Sequence, residues 1–392
     1  MKSRIGLPKR IETINNIQLN SCEWICCSKV NLLLSCLLII VLFPPRMYGI
    51  DVAKGSERGV FEAYELRING ETEKAEALLD EILKEDSTDA LAYFELARTK
   101  HHEFLGGTQF SAEEWKEVMH ALQKAVRYAP DNEIFAFYYA YSCFFNAFIS
   151  MMRQQPDVGE KVTLTCDAFK NVLKLNPDCH EAQLYMIDIF NYLPAEMGGD
   201  KEKAGIIAAE LNTRDELYGA MADARLLPEN SDFVMYWQNI EKEAGHNAQL
   251  MEELGRAYLL KSDTENGTKY FQDAIRADIT RRYLYMHLVR YHILSIQQDP
   301  DAKAAHLGKA IELTNSYMQS TPEILAPLKA YAYGILSLIK MIGGEESSSN
   351  EYREMATALD PYYSKAMGMP SSMLYCPPDE VKIQYSSFFM PF

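Results

Sequence analysis

Between Met251 and Ile279 the chain carries a spacing that few folds satisfy. Met251, Leu254, Gly255 and Tyr258 are followed by Gly267, Phe271 and Ala274, at offsets 0, 3, 4, 7, 16, 20 and 23. Offsets of three and four put residues on one face of a helix. The longer gap after Tyr258 leaves room for a turn and a second helix. The small residues stand where two helices touch, and the large ones fill the groove beside them. A helix pair of this kind cannot bury its apolar face alone, so one unit predicts stacked neighbours.

The same phase recurs along the chain. Tyr128-Ala129-Pro130-Asp131, Leu175-Asn176-Pro177-Asp178 and Leu359-Asp360-Pro361 each close a helical stretch with a proline, which lacks a backbone donor and restricts the residue before it. Threading the phase through residues 57–365 predicts about seven helix pairs, with a degenerate stretch at 215–245 that holds Pro228 and Trp237. Residues 366–392 contain Pro370, Pro377, Pro378 and Pro391, lose the helical period, and read as an extended aromatic tail. The final run, Tyr385 to Phe392, is expected to cap the last helices, with the concave groove or a partner as alternatives. Several units exceed 34 residues, the excess lying between their two helices near Gly106-Gly107, Gly198-Gly199 and Gly343-Gly344. Glycine pairs there suit helix C-caps, and enlarged turns along one edge suit a binding rim.

These spacings resemble the tetratricopeptide repeat, a 34-residue helix–turn–helix unit. Pro194-Ala-Glu-Met-Gly-Gly-Asp-Lys-Glu-Lys-Ala204 is similar to a segment of exported bacterial tetratricopeptide-repeat proteins, in which Gly-Gly-x-x-x-x-Ala precedes the second helix. The resemblance implies an all-α, right-handed superhelix of antiparallel helix pairs, a TPR-like α-solenoid ending in an extended C-terminal tail. It also implies that positions 5 and 9 of each first helix face the concave groove. Those are Phe94 and Arg98, Phe137 and Tyr141, Leu184 and Asp188, Glu252 and Arg256, Met286 and Arg290. The Lys/Asn, Asn and Lys/Arg series of chaperone-type carboxylate clamps is absent from these positions. One similar group of periplasmic repeat proteins accompanies substrate-binding transporters.

Charge narrows the partners. Residues 1–49 carry six basic and two acidic residues, so the remainder of the chain, with 33 basic and 53 acidic, stands at −20. Such acidity opposes nonspecific nucleic-acid binding, which requires cations to neutralise phosphates, and opposes docking on anionic lipid. In the first 49 residues a basic stretch precedes the apolar run Leu32 to Phe43, which suits an export signal better than a membrane span of about 20 residues. The expectation is therefore a periplasmic or membrane-anchored protein, with the membrane touched only through that leader. A start at Met47 would instead leave the chain cytoplasmic. Leu33-Leu34-Ser35-Cys36 is similar to a lipoprotein box, yet the apolar run continues past Cys36. Cys166 and Cys179 fall in neighbouring helices and would pair only in an oxidising compartment; isolated buried thiols are the simpler reading.

Ile134 to Met152 is nineteen residues without a charge, with eight aromatics between Phe135 and Phe148. Its length invites a transmembrane reading, but its phase with Pro130 favours a repeat helix buried on both sides. No nucleophile elbow, paired catalytic carboxylates or metal-ligand spacing stands out, and no cofactor or metal is implied. His101 and His102 are adjacent and so diverge around a helix. The expected function is non-catalytic: the concave face and enlarged turns grip a peptide, a protein segment or a small anionic ligand through Arg98, Tyr141, Asp188, Arg256 and Arg290. The alternatives are an accessory component of an envelope transport system and an enzyme with its site in the enlarged turns.

Overall fold

A computed structural model describes residues 52–106, 112–245, 247–362 and 374–383 of the 392-residue chain. Among them are sixteen α-helices and no strand. They follow one another as Val52–Ile68 (α1), Thr72–Glu85 (α2), Ala90–Gly106 (α3), Ala112–Tyr128 (α4) and Glu133–Met152 (α5). Next come Val158–Leu175 (α6), His180–Tyr192 (α7), Lys201–Arg214 (α8), Glu216–Leu226 (α9), Phe233–Ala244 (α10) and Ala248–Leu260 (α11). Thr264–Ala277 (α12), Leu284–Gln298 (α13), Lys303–Met318 (α14), Ala326–Ile342 (α15) and Glu346–Leu359 (α16) complete the set. Within most pairs the helices pack along each other and are joined by a short turn, so they must run antiparallel. The result is an all-α TPR-like solenoid.

Local chemistry sets the ends. Asn132, Asp200, Asp232, Asn247 and Asp263 each accept a hydrogen bond from a backbone N–H in the first turn of α5, α8, α10, α11 and α12. Pro130, Pro177 and Pro361 stand just beyond α4, α6 and α16. In the α11–α12 pair the backbones approach closely. A Cβ on Gly255 would lie 2.2 Å from Phe271 Cδ1, and one on Gly267 would lie 2.6 Å from the Leu259 side chain. That contact is why the motif needs glycine at those offsets.

The stretch 215–245, which fits the repeat phase poorly, nevertheless folds as two short helices, α9 and α10. Pro228 lies between them and Trp237 is buried. Here Asp215 both ends α8 and caps α9, and Gly219 presses on Asn212, so the period is compressed rather than lost.

First and second helices bury differently. Second helices such as α12 bury one stripe, Gly267, Phe271 and Ala274, and leave the other face to solvent. Two first helices are covered all round: Ala182 through Phe190 of α7 and Leu250 through Ala257 of α11 are buried without a break. Successive residues turn by about 100°, so eight buried in a row leave no solvent-facing side. Helix α5 has the length and composition of a membrane span, yet 72% of its apolar window is buried. Phe135 stacks on Phe94 at 4.5 Å, Phe145 meets Trp115 at 4.5 Å, and Phe144 meets Tyr185 at 5.0 Å.

The array also returns on itself. The C-terminal end of α16 reaches the turn between α1 and α2, where Gly70 has φ +82° and a Cβ would fall 2.2 Å from the Leu359 carbonyl oxygen. Only glycine fits there, on both conformation and space. Asp360 lies 2.8 Å from His102 of α3, and Tyr362 Oη donates to Glu73 of α2 at 3.1 Å. The leader of residues 1–49 with Cys36, the residue Gly107, and the final run Tyr385 to Phe392 lie outside the described residues.

Candidate functional site

The turn-rich segment Leu374–Ile383 lies against α1 and α3, the first helices of the first two pairs. Three consecutive main-chain carbonyls of this segment accept hydrogen bonds from side chains. Arg67 Nη1 donates to the Leu374 oxygen at 2.5 Å, Tyr64 Oη to that of Tyr375 at 2.9 Å, and Arg98 Nη2 to that of Cys376. Leu374, Tyr375, Pro378 and Val381 are buried.

The donors are held by one carboxylate. Glu95 takes Arg67 Nε and Nη2 on Oε1 at 2.8 and 2.7 Å, and Arg98 Nη1 on Oε2 at 2.8 Å. All three side chains are fully buried. Burial works against each guanidinium, most plainly at Arg98, whose pKa it lowers, while Glu95 opposes that effect. Both remain cationic, since arginine starts above 12. Burial pushes the Tyr64 phenol up to about 12, so it stays protonated and donates.

A second layer orients Tyr375. Its hydroxyl lies 3.3 Å from His102 Nδ1, while His102 Nε2 lies 2.8 Å from the Asp360 carboxylate. Burial lowers the His102 pKa against the pull of Asp360, so the ring is read as neutral. The network then assigns the proton to Nε2, donating to Asp360, and leaves Nδ1 to accept from Tyr375. Asp360, at the end of the array, thus reaches the tail through a histidine of the second pair. Beside it, His101 Nδ1 lies 2.9 Å from Tyr138 Oη, and burial takes the His101 pKa down to about 3.

The five residues expected to contact a ligand fall as follows. Arg98 is the one bonded to the tail. Tyr141 is 2% exposed, with its ring against Tyr138 and Tyr185. Asp188 lies 3.4 Å from Arg225 of α9, both buried. Arg256 donates to Glu252 at 2.6 Å and to His287 Nε2 at 3.2 Å. Arg290 is half-buried, with its charge acting on the Tyr331 hydroxyl. Arg98 and Arg256, expected to meet a ligand, therefore each face a carboxylate of the chain itself.

Around Arg256 a second polar cluster forms. Glu252 also accepts from Arg281, and from Tyr283 Oη at 2.5 Å. Burial disfavours the Glu252 charge, but Arg256, Arg281 and Tyr283 hold its carboxyl below the usual range. Neighbouring Glu253 is pushed upward by burial. These groups saturate one another within packed helices and tie the sixth pair to the seventh.

The Gly198-Gly199 turn borders a cleft of about 360 Å³ between α6, α7 and α8, floored by Val162, Met186 and Phe190. Gly198 has φ +97°, and Gly199 packs on the Leu193 carbonyl. Lys170 and Lys203 at its edge are paired with Asp167 and Asp200, at 2.8 and 2.7 Å. Cys143, Cys166, Cys179 and Cys376 are free thiols, so Cys166 and Cys179 are not paired. Burial pushes Cys143 and Cys179 up to about 12, far from a thiolate.

Sequence reasoning reached Arg98 but missed Tyr64, Arg67, Glu95 and His102. The available signal was spacing alone: Glu95 and Arg98 stand three apart in α3, where side chains meet.

No family model and no curated protein matches the chain. Solved structures with a loosely similar course include a human IFIT1 dimer with m7Gppp-AAAA, at 13% identity over 78% of this chain and 72% of that one, TM-score 0.32. A tetratricopeptide repeat protein from Parabacteroides merdae is 11% identical over 80% of this chain and 99% of its own, TM-score 0.32. YrrB, a TPR protein with an unusual peptide-binding site, is 11% identical over 64% and 97%, TM-score 0.25.

Proposed function

We propose that the chain is a non-catalytic binding scaffold whose inner face, at its first two helix pairs, holds a peptide or protein segment. One observation carries this reading: Tyr64, Arg67 and Arg98 receive three successive main-chain carbonyls of residues 374–376. Side-chain donors aimed at carbonyls recognise the backbone, which every peptide shares, and leave selectivity to the side-chain pockets. A small anionic ligand is less well supported, because Arg98 and Arg256 already face Glu95 and Glu252. Of the expected contact residues, Arg98 touches the occupant, whereas Tyr141, Asp188 and Arg256 are buried in later pairs. The basic-then-apolar leader supports a place in the cell envelope, of the kind the resemblance to exported bacterial repeat proteins implies. An accessory role in envelope transport is the narrower form of the same reading.

The test is a fluorescence-anisotropy screen of a random peptide library against the full chain, repeated with the Arg67→Met/Arg98→Met variant. Peptides that bind the first and not the second support this face as the site. Peptides indifferent to both arginines overturn it.

A further inference from the structure

We propose that residues 374–376 are an internal ligand: they occupy the peptide site of the first two pairs, and an outside peptide enters only when they leave. The proposal rests on the peptide-scaffold reading above and adds to it the control of access and the pattern of the partner. Three features of the segment are those of a bound peptide. It is built of turns beside an array of α-helices. Its main chain, rather than its side chains, makes the hydrogen bonds to Tyr64, Arg67 and Arg98. Its apolar side chains are the ones the array covers: Leu374, Tyr375, Pro378 and Val381 are buried, while Asp379 and Glu380 stay exposed.

The partner pattern follows from what each position meets. The carbonyl contacts are indifferent to sequence. The tyrosine is selected, because its hydroxyl completes the hydrogen-bond chain through His102 to Asp360. An apolar residue is selected before it, since Leu374 has no exposed surface. Charge does not ask for an anionic ligand: Arg67 and Arg98 are met by Glu95, and Asp360 stands at the neutral His102. The matching partner is therefore a segment that can turn as residues 374–376 do and presents there an apolar residue followed by tyrosine, with no charge at either. Because Asp360 belongs to the end of α16, the site is complete only when the last helix is closed against the first pair. Release of the tail and loosening of that closure are physically linked.

The experiment uses a labelled synthetic peptide of residues 371–383 and two forms of the full chain, wild type and Leu374→Glu/Tyr375→Ala, which releases the internal copy. The peptide is expected to bind the variant at least ten-fold more tightly than wild type, and an added Arg67→Met/Arg98→Met pair is expected to abolish binding. Equal binding to both forms overturns the internal-ligand proposal and leaves the scaffold reading standing. No binding of this peptide or of library peptides to a folded variant overturns both. Hydrogen exchange on unaltered wild type provides an independent check if the variant misfolds. Amides of 374–381 are expected to exchange faster than those of α3, and faster still with excess unlabelled peptide. Exchange of the segment only together with α3, insensitive to peptide, overturns the proposal.

Discussion

Removing the Glu95 carboxylate is the sharpest perturbation of the site. In Glu95→Ala, the Arg67 and Arg98 guanidiniums, both fully buried, lose the group that neutralises them, while the tail carbonyls remain as neutral acceptors. Breaking a buried ion pair by deleting one partner costs about 3–5 kcal/mol, because a charge is stranded in a poor solvent. Two stranded charges put this site at the upper end, about 5 kcal/mol. For a chain of this size a destabilisation of that order lowers the melting midpoint by roughly 10 °C. In a stacked array the loss falls first on the pairs that make the contact, so hydrogen exchange should rise in α1, α3 and residues 374–383 before α11 and α12. The assay is calorimetry with exchange measured segment by segment. The triple replacement Arg67→Met/Glu95→Leu/Arg98→Met removes the charges together and should recover most of the midpoint, while the tail still loses its two guanidinium donors and keeps Tyr64. A Glu95→Ala protein that melts within 2 °C of wild type, with tail protection unchanged, would refute the reasoning.

Gly70→Ala should open the contact between the ends of the array. It adds left-handed strain of about 1–2 kcal/mol and a clash with the Leu359 carbonyl, read as a lower midpoint and faster exchange in α16. Gly255→Ala should destabilise by about 1–3 kcal/mol through overlap with Phe271, whereas Gly205→Ala, with open space around it in α8, should stabilise by about 1 kcal/mol; chemical denaturation of the two separates packing from helix propensity. Acidification should also destabilise the fold. His101, lowered to about 3, binds its proton more readily in the unfolded chain, so its contribution is present above the unfolded value near 6.5 and lost as pH falls below it. The slope is about 1.4 kcal/mol per pH unit between 6.5 and 5, and denaturation at those pH values should show it reduced by one proton in His101→Gln.

The repeat architecture was legible because its causes are local. Offsets of three and four, paired with glycine where Gly255 meets Phe271, specify two touching helices within 30 residues, and Pro130, Pro177 and Pro361 mark where pairs stop. The weakly patterned stretch 215–245 shows the limit of that reading. Its helices are short and share Asp215 as a boundary, so the period slips while Trp237 still finds a buried place.

The candidate site divides along the same line. Position within the repeat predicts one face for Arg98, Asp188 and Arg256, because helical period relates equivalent positions of successive units. Whether those charges stand open or are already matched depends on neighbours in other helices, and the matching of Arg256 with His287 lies between pairs. By itself the sequence determined a stack of helix pairs with charged residues on its inner side. Only the tertiary structure decided that α16 closes on Gly70 and that residues 374–376 fill the face of α1 and α3. Those contacts join residues more than 250 positions apart, where no periodicity reaches. They arise from the small rotation accumulated at each pair, which returns the end of the array to its beginning.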